Sequence, residues 1–508
     1  MGRITIDFPE LNRTIEAERG DNLLALMQQE RIPVDAGCGG VGRCGRCRAL
    51  IDGESRLTCL THVLDDIQVR IPSTQADEGY SILIDYPQAQ TRPEHPDGQR
   101  TTVCRSGSYA VAVDLGTTTV VGKLIDRKTG SELDSFAELN AQRLFGSDVI
   151  SRINASLEDA AHLSEMIVSQ LDSLVASMLK REHVKKEQVG RLVIAGNTAM
   201  SYLLLGLPCR SLGSAPFNPE FALSNRYSWE EVFHTRTLDC RCELLPFISA
   251  FVGGDATAGL CSLYGEDDFM LLDLGTNGEI LFRRGHRLLC TATAAGPAFE
   301  GSGIECGSGS VRGAISAVCH ENGLLHYRTI GASPAKGICG SGLLDLVAVL
   351  LELGYIDSTG YLTDKLANRR FVLSPGEEDD EDSKNSKREA VFLTQKDIRQ
   401  FQLAKAAVRT GIEIACHEMG GDPPRRVYLA GGFGQALDPK SAVATGLIPE
   451  SFHDRVFAIG NSSLNGAAKV CLNESILKDV IELIKDAQSI NLATHQLFSD
   501  LFLEHMGF

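Results

Sequence analysis

Four cysteines near the start of the chain, Cys38, Cys44, Cys47 and Cys59, have the types and spacing for chemistry: CGGVGRCGRCRALIDGESRLTC places them as C-x5-C-x2-C-x11-C. Four thiolates can hold an iron-sulfur cluster when three of them share one tight loop, because the irons lie too close together to be reached from scattered elements. Gly37, Gly39, Gly40, Gly42 and Gly45 interleave the ligands and let the backbone bring its N–H groups close to the sulfurs. Zinc or buried thiols are the competing readings. Structural zinc usually takes two separate C-x2-4-C pairs, whereas here only Cys44 and Cys47 form one. The spacing is therefore read as a 2Fe-2S site and the business of the chain as electron transfer.

The neighbouring residues supply elements to position such a loop. Ile4, Ile6 and Phe8 alternate as a strand, Ile15 and Ala17 suit its hairpin partner, and DNLLALMQQERI reads as a short helix capped by Asp21. RCRALI and DIQVRIP supply further strands. This β-β-α-loop-β order resembles a plant-type ferredoxin over about seventy residues, with one extra residue in the first gap of the C-x4-C-x2-C…C spacing.

A length of 508 residues suggests about three domains, and 43% apolar content is ordinary for a soluble globular protein. The net charge of −17 and the lack of a basic stripe argue against a nucleic-acid partner. The start, MGRITIDFPE, has no apolar signal segment, Ile6 departs from the myristoylation pattern, and no run is long enough to span a bilayer. The expected location is the cytoplasm, with no membrane. There, the fifteen cysteines read as thiols and ligands. Outside the four ligands they are scattered and suit small buried positions; Cys240 and Cys242 read as packing, while Cys306 and Cys339, in glycine-rich segments, are candidates to lie near a substrate.

After Pro72 the texture turns rich in Pro, Gln, Thr and Gly, which divides the chain into a 2Fe-2S ferredoxin-like domain at 1–73, a linker at 74–108 and an ATPase domain at 109–508. SILIDY inside the linker suits a short strand or docking segment. SPGEEDDEDSKNSKRE at 374–389 reads as a solvated surface loop.

The large remainder repeats one motif. YAVAVDLGTTTVVGKLID is a hairpin with Asp114 at a strand end and a turn of Gly116, Thr117, Thr118 and Thr119, whose N–H and hydroxyl groups suit a phosphate. About 160 residues later FMLLDLGTNGEILF repeats it with Asp273, Gly275, Thr276, Asn277, Gly278 and Glu279. RRVYLAGGFGQAL then follows the long helix pattern QKDIRQFQLAKAAVRTGIEIAC and sets Gly431, Gly432 and Gly434 where a strand turns into a helix, close enough for backbone contact with an adenosine. In KGICGSGLLD, Gly340, Ser341 and Gly342 either meet a phosphate or ribose or simply start a helix. Glu300 and Glu305 are further candidates to face magnesium or water. Any one of these turns could merely close a hairpin; their order and spacing are the stronger signal.

Together DLGTTT, DLGTNGE and AGGFG resemble the phosphate-1, phosphate-2 and adenosine motifs of the superfamily of sugar kinases, heat-shock chaperones and actin. The resemblance implies two ribonuclease-H-like lobes closing on ATP and Mg2+. It gives Asp114 and Asp273 catalytic roles through magnesium-bound water and the attacking water, with few direct metal contacts because Mg2+ keeps most of its waters.

A ferredoxin module joined to this ATPase resembles the reductive activators of corrinoid proteins. NAQRLFGSDVISRI (Asn140, Gln142, Gly146, Asp148, Arg152), IAGNTAM (Gly196, Asn197, Thr198), FVGGDATAG, ATAAGPAFEGSGIECG, GICGSGLLD and IGNSSLNGA carry the same likeness along the chain. The chain is short for this family, with no additional domain of substantial size between linker and ATPase. The resemblance implies ATP-dependent transfer of one electron to the inactive Co(II) of a methyltransferase corrinoid protein, and an upstream low-potential reductant. It is compatible with a homodimer formed through the ATPase lobes. Plant-type clusters sit near about −400 mV as a class, so the transfer runs uphill and ATP would offset the difference. An ATP-driven electron donor to an iron-sulfur dehydratase is the nearest alternative, although those activators share a cluster between two subunits. A redox-sensing nucleotide-binding regulator is the non-catalytic one. The tail NLATHQLFSDLFLEHMGF reads as a closing helix that packs through Leu492, Leu497, Leu501 and Phe502.

Overall fold

The computed structural model describes residues 4–11, 13–30, 32, 34, 47–71, 107–146, 148–220, 226–275, 277–301, 303–363, 366, 369–376, 390–431 and 437–508. The chain forms two compact units that divide between Leu245 and Pro246. The linker residues 74–106, SILIDY included, and the charged residues 377–389 lie outside the described residues.

In the first unit the alternating apolar residues at the start form β1 (Ile4–Phe8) and β2 (Arg13–Ala17), antiparallel with Ile4 opposite Ala17 and Ile6 opposite Ile15. The helix Leu23–Gln29 buries Leu23, Leu24 and Met27. β3 (Arg48–Ile51), β4 (Glu54–Leu57) and β5 (Ile67–Arg70) complete a five-stranded sheet in the order β2-β1-β5-β3-β4, with β1 and β5 parallel. β4 has no alternation to announce it; three of its four side chains are exposed at the sheet edge. The helix cap is Asn22, not Asp21: Asn22 has extended backbone and its side chain accepts from the Ala25 amide at 3.2 Å, while the Asp21 carboxylate accepts from the Glu18 amide. An N-cap must be the last residue outside the helical dihedrals, and here that residue is one position further on.

A second sheet in this unit is built from β6 (Tyr109–Leu115), β7 (Thr119–Asp126), β8 (Glu132–Leu139), β9 (Val189–Gly196), β10 (Tyr227–Ser228) and β11 (Arg241–Leu244), in the order β10-β11-β9-β6-β7-β8. β6, β7 and β8 form an antiparallel meander, and β9 and β11 add in parallel on the far side of β6. The long helix Val149–Arg181 returns the chain from β8 to β9 and buries Ile153, Leu163, Ile167, Leu171 and Val175.

The second unit repeats this plan. β12 (Asp268–Leu274), β13 (Gly278–Arg284) and β14 (Arg287–Thr293) form the meander. β15 (Ala314–Glu321), β16 (Leu324–Thr329) and β17 (Gly337–Ile338) make a separate small sheet, and β18 (Arg370–Ser374) pairs with β19 (Val391–Thr394). β20 (Arg426–Ala430) and β21 (Val456–Gly460) then add in parallel beyond β12, and β22 (Gln488–Ile490) joins β14. The series β21-β20-β12-β13-β14 matches β11-β9-β6-β7-β8 strand for strand. Phe269, Met270, Leu271 and Leu272 of β12 are all fully buried, as a strand covered on both faces requires.

The expected helix Gln395–Glu418 is present, with a Thr394 and Asp397 capping box. The closing tail differs from expectation. Leu492 lies in a 3-10 turn capped by Asn491, the helix spans only Phe498–Glu504, and none of its residues is fully buried. The apolar spacing runs across two elements because the Asn491 side chain bonds the Ala493 amide and starts a separate turn. Leu492 is buried, Leu497, Leu501 and Phe502 are partly so, and Phe508 beyond the helix stacks on Phe401 at 6.1 Å between ring centroids.

Two helices of the second unit, Gly254–Ser262 and Ser462–Leu472, pack at backbone contact. A Cβ on Gly466 would stand 1.8 Å from the Ala258 carbonyl oxygen. Gly466→Ala is expected to lower stability by about 1–3 kcal/mol or more through forced separation of these helices, read as a lower Tm.

Candidate functional site

The two cluster cysteines in the described residues lie at either end of the β3-β4 hairpin. Cys47 precedes β3 and Cys59 sits in the 3-10 turn that follows β4; both are buried. The Thr58 amide donates to the Cys47 carbonyl at 2.8 Å, and Asn22 Nδ2 donates to the Cys59 carbonyl at 2.9 Å, so the helix cap and the hairpin hold the two ligands in register. Thr58 is fully buried, yet its hydroxyl has no partner among the described residues. A donor stranded beside two buried thiols fits a site whose remaining acceptor is a cluster sulfur. Cys38, Cys44 and the loop glycines lie outside the described residues.

The first DLG turn is a strand-end turn between β6 and β7. β6 carries Asp114 opposite Val121 of β7 and Ala195 of β9. The chain reverses at Gly116, whose amide donates to the Thr119 carbonyl at 2.9 Å; a Cβ there would be 2.8 Å from that oxygen. Thr118 is exposed and Thr117 and Thr119 are partly so. Two asparagines hold the turn. Asn140 Nδ2 donates to the Gly116 carbonyl at 2.8 Å, and Asn197 Nδ2 donates to Thr117 Oγ1 at 3.0 Å. Both occur in family-like sequence segments, but nothing in their spacing assigned them to this turn.

In the second unit Asp273 takes the equivalent place, opposite Glu279 of β13 and Ala430 of β20. The Gly275 amide donates to the Asn277 carbonyl at 2.9 Å, Asn277 is exposed, and Gly278 packs against Thr293 as β13 begins. Thr276 lies outside the described residues, as do Gly432 and Gly434. Gly431, at φ 84°, passes directly over Asp273: a Cβ would be 2.5 Å from Asp273 Oδ1. Glycine is needed there both for the dihedral and for the space.

Around Asp273 the chain gathers acid. Burial is the first cause that raises the Glu279 carboxyl well above its ordinary value, followed by the charges of Asp255, Asp273 and Glu300. Asp255, in the first turn of the Gly254–Ser262 helix, is itself raised by burial. Nothing within its segment FVGGDATAG marks Asp255 for a role; the fold brings it within electrostatic reach of Glu279. Four carboxyl groups acting on one another call for a proton or a cation. Among the described residues no three histidine, cysteine or carboxylate groups converge tightly enough to ligate a metal by themselves.

The remaining candidates make the following contacts. Gly340 and Ser341 are buried; Ser341 Oγ donates to the Ser316 carbonyl at 2.8 Å, and a Cβ on Gly342 would stand 2.1 Å from the Ile315 carbonyl. This helix start therefore packs on β15. Glu305 pairs with Arg370 at 3.5 Å. Cys339 Sγ lies 3.4 Å from the Ile315 carbonyl and Cys306 Sγ 3.8 Å from that of Ala390. Cys240 and Cys242 are buried, and the Cys242 thiol is raised first by its hydrogen bond with Cys240 and then by burial, as packing thiols.

A carboxyl raised in the folded state holds a proton that the unfolded chain has lost, so its contribution to stability falls as pH climbs above the ordinary value of 4.5 toward the folded value. Glu279→Gln is expected to raise Tm by about 2–4 °C or more at pH 8 with divalent cation removed, and progressively less toward pH 4.5. Thermal melts across that range check it; a gain independent of pH would contradict the assigned cause.

Three family models match the chain in succession: a 2Fe-2S iron-sulfur cluster binding domain at 7–69, the RACo middle region at 109–264, and the C-terminal domain of RACo, the ASKHA domain, at 267–508. The corrinoid activation enzyme RamQ of Eubacterium limosum is 30% identical over 490 residues, covering 88% of this chain and 80% of its own. The [Co(II) methylated amine-specific corrinoid protein] reductase of Methanosarcina barkeri is 27% identical, covering 79% and 77%. In structure, a reductive activator for corrinoid, iron-sulfur protein superposes over 99% of this chain and 98% of its own with a TM-score of 0.68 at 24% identity, which supports the fold. The three models fall in turn on the ferredoxin-type sheet and on the two copies of the strand plan. The chain belongs to the RACo family of corrinoid activation proteins.

Proposed function

We propose that the chain is an ATP-dependent reductive activator that delivers one electron to the inactive Co(II) of a corrinoid protein from a methyltransferase system, restoring Co(I). The observation that carries this reading is the union, in one chain, of a ferredoxin sheet with buried cluster thiols and a duplicated pair of strand-end turns, one rich in donors and one rich in acid. Residues 1–73 then carry the electron, 74–108 connect, and 109–508 bind and hydrolyse ATP.

Cys38, Cys44, Cys47 and Cys59 would hold a 2Fe-2S cluster, which supplies a one-electron store that a low-potential reductant refills. Thr58 lends a hydroxyl donor to that site, which raises the potential of an anionic cluster and steadies its reduced form. In the first unit Gly116, Thr117, Thr118 and Thr119 present N–H and O–H groups to phosphoryl oxygens. In the second unit Gly275, Thr276, Asn277 and Gly278 form the matching turn, and Gly431, Gly432 and Gly434 leave room for the adenosine. Asp114 and Asp273 would orient water on a hydrated Mg2+ and the attacking water, and Asp255 and Glu279, whose raised carboxyls favour the protonated form, would give up protons as the cation enters.

Co(II) is harder to reduce than a plant-type cluster is to oxidise, so the electron moves uphill unless something else changes. Binding of the nucleotide-loaded protein to the Co(II) partner, with displacement of a cobalt ligand, brings the cobalt potential within reach of the cluster. One electron leaves the reduced site and one enters cobalt, so the balance closes on the reductant alone.

The deciding experiment is anaerobic. Reduced protein is mixed with a Co(II) corrinoid protein, with and without ATP and Mg2+, and the Co(I) absorption is followed. ATP-dependent growth of Co(I) is expected; a cluster that forms and a nucleotide that binds without any Co(I) would move the assignment to a dehydratase donor or a redox sensor. In the same assay Cys59→Ser should abolish transfer, and Asp114→Asn should slow the ATP-dependent step by about 100-fold or more while leaving the cluster spectrum intact.

A further inference from the structure

Asn140 and Asn197 share an arrangement that reaches beyond simple support of a loop. Each is a helix N-cap with extended backbone: the Asn140 side chain accepts from the Gln142 amide at 2.9 Å, and the Asn197 side chain from the Met200 amide at 2.9 Å. Only the carbonyl end of a carboxamide can accept, so the cap fixes which end is oxygen. The other end is then an NH2 group, a donor with nothing to accept through. In both residues that end faces the phosphate turn, Asn140 on the Gly116 carbonyl and Asn197 on Thr117 Oγ1.

The consequence for the turn is a polarity. The Gly116 carbonyl is held by Asn140 Nδ2, the Thr118 carbonyl by the Asn140 amide at 2.9 Å, and the Thr119 carbonyl by the Gly116 amide. Those three acceptors are occupied from within. Thr117 Oγ1 must accept from Asn197, so its one proton points elsewhere, and no acceptor for it is found among the described residues. What the turn then offers a ligand at this point is the Thr117 hydroxyl proton, a donor. A phosphoryl oxygen carries only lone pairs and matches it; a metal ion or a sugar hydroxyl needing an acceptor does not.

We propose that Asn140 and Asn197 are positioning residues that set this turn as a donor surface for the phosphoryl oxygens of the nucleotide, Asn197 doing so by directing the Thr117 proton outward. The inference rests on the nucleotide reading above and adds the residues that decide its selectivity. Asn197→Asp keeps the capping oxygen but converts the NH2 end to an acceptor, which draws the Thr117 proton inward.

Calorimetric titration of the full chain with MgATP, beside melts without nucleotide, tests this in Asn197→Asp, Thr117→Val and the double variant. The expected result is a nearly unchanged melt for Asn197→Asp, a Kd raised about 10-fold or more in either single variant, and a double variant no weaker than the worse single one. Additive losses mean that the aspartate acts by its charge alone and overturn the inference, as does an unchanged Kd. Should Asn197→Asp fail to fold, Asn197→Ser keeps a capping oxygen and removes only the amide donor; a Kd raised a few-fold supports the inference and an equal Kd overturns it. A wild-type chain that binds no MgATP overturns the nucleotide reading and this inference with it, whereas tight wild-type binding with equal binding by the variants overturns this inference alone.

Discussion

Two parallel strand pairings, β6 with β9 and β12 with β20, carry the rest of the molecule. They set Asp114 across from Ala195 and Asp273 across from Ala430, each one residue before the sheet ends. A central strand covered on both faces tolerates only apolar residues, so polar groups can appear only where the strand stops. Carboxylates and donor turns are therefore pushed to one end of each sheet by the same burial that holds the sheet together. The small residues beside them follow from this closeness: Gly431 has to pass within reach of Asp273, and Gly116 has to turn under the Thr119 carbonyl.

The two copies then diverge in charge. After β9 the chain continues into Asn197 and a capped helix, which supplies amide donors to the first turn. After β20 it continues into Gly431, which passes close over Asp273, and Asp273 acts on Glu279 together with Asp255 and Glu300. One copy became a donor surface and the other an acidic one. On the proposed reading that division is what a phosphate and its cation together require, since neither polarity alone serves both ions.

The ferredoxin sheet solves a different problem. It is small, and its core is a single layer of Ile4, Ile6, Phe8, Leu23, Met27, Ala49, Ile51, Val69 and their neighbours, with Cys47 and Cys59 among them. A module of this size has little burial to spare, and ligation of buried thiols adds stability that its own core supplies only marginally. Among the described residues the buried Thr58 hydroxyl beside Cys59 in the chain has no partner.

By itself the sequence determined whatever rests on local spacing. The cysteine intervals, the alternation of β1 and β2, both DLG turns and the long helix at Gln395–Glu418 were all legible, because each depends on residues within one or two turns of chain. Where two local signals competed, the reading slipped: Asp21 and Asn22 are both good caps, and only the backbone dihedrals chose between them. The glycine-rich start at Gly340 had the pattern of a ligand loop, and its contact with β15, through the Ser341 hydroxyl and the closeness of Gly342 to the Ile315 carbonyl, was visible only in the fold. The tail had helical spacing that an asparagine-capped turn interrupted. Tertiary structure alone decided the partnerships across long separations. Asn140 lies 24 residues from Gly116 and Asn197 lies 80 from Thr117. Asp255 acts on Glu279 because the helix it starts packs beside β12, where a Cβ on Gly259 would stand 2.5 Å from Leu271 Cδ2. Strand register and helix contact are set by the whole buried core, so which amide faces which hydroxyl cannot be read from any interval along the chain.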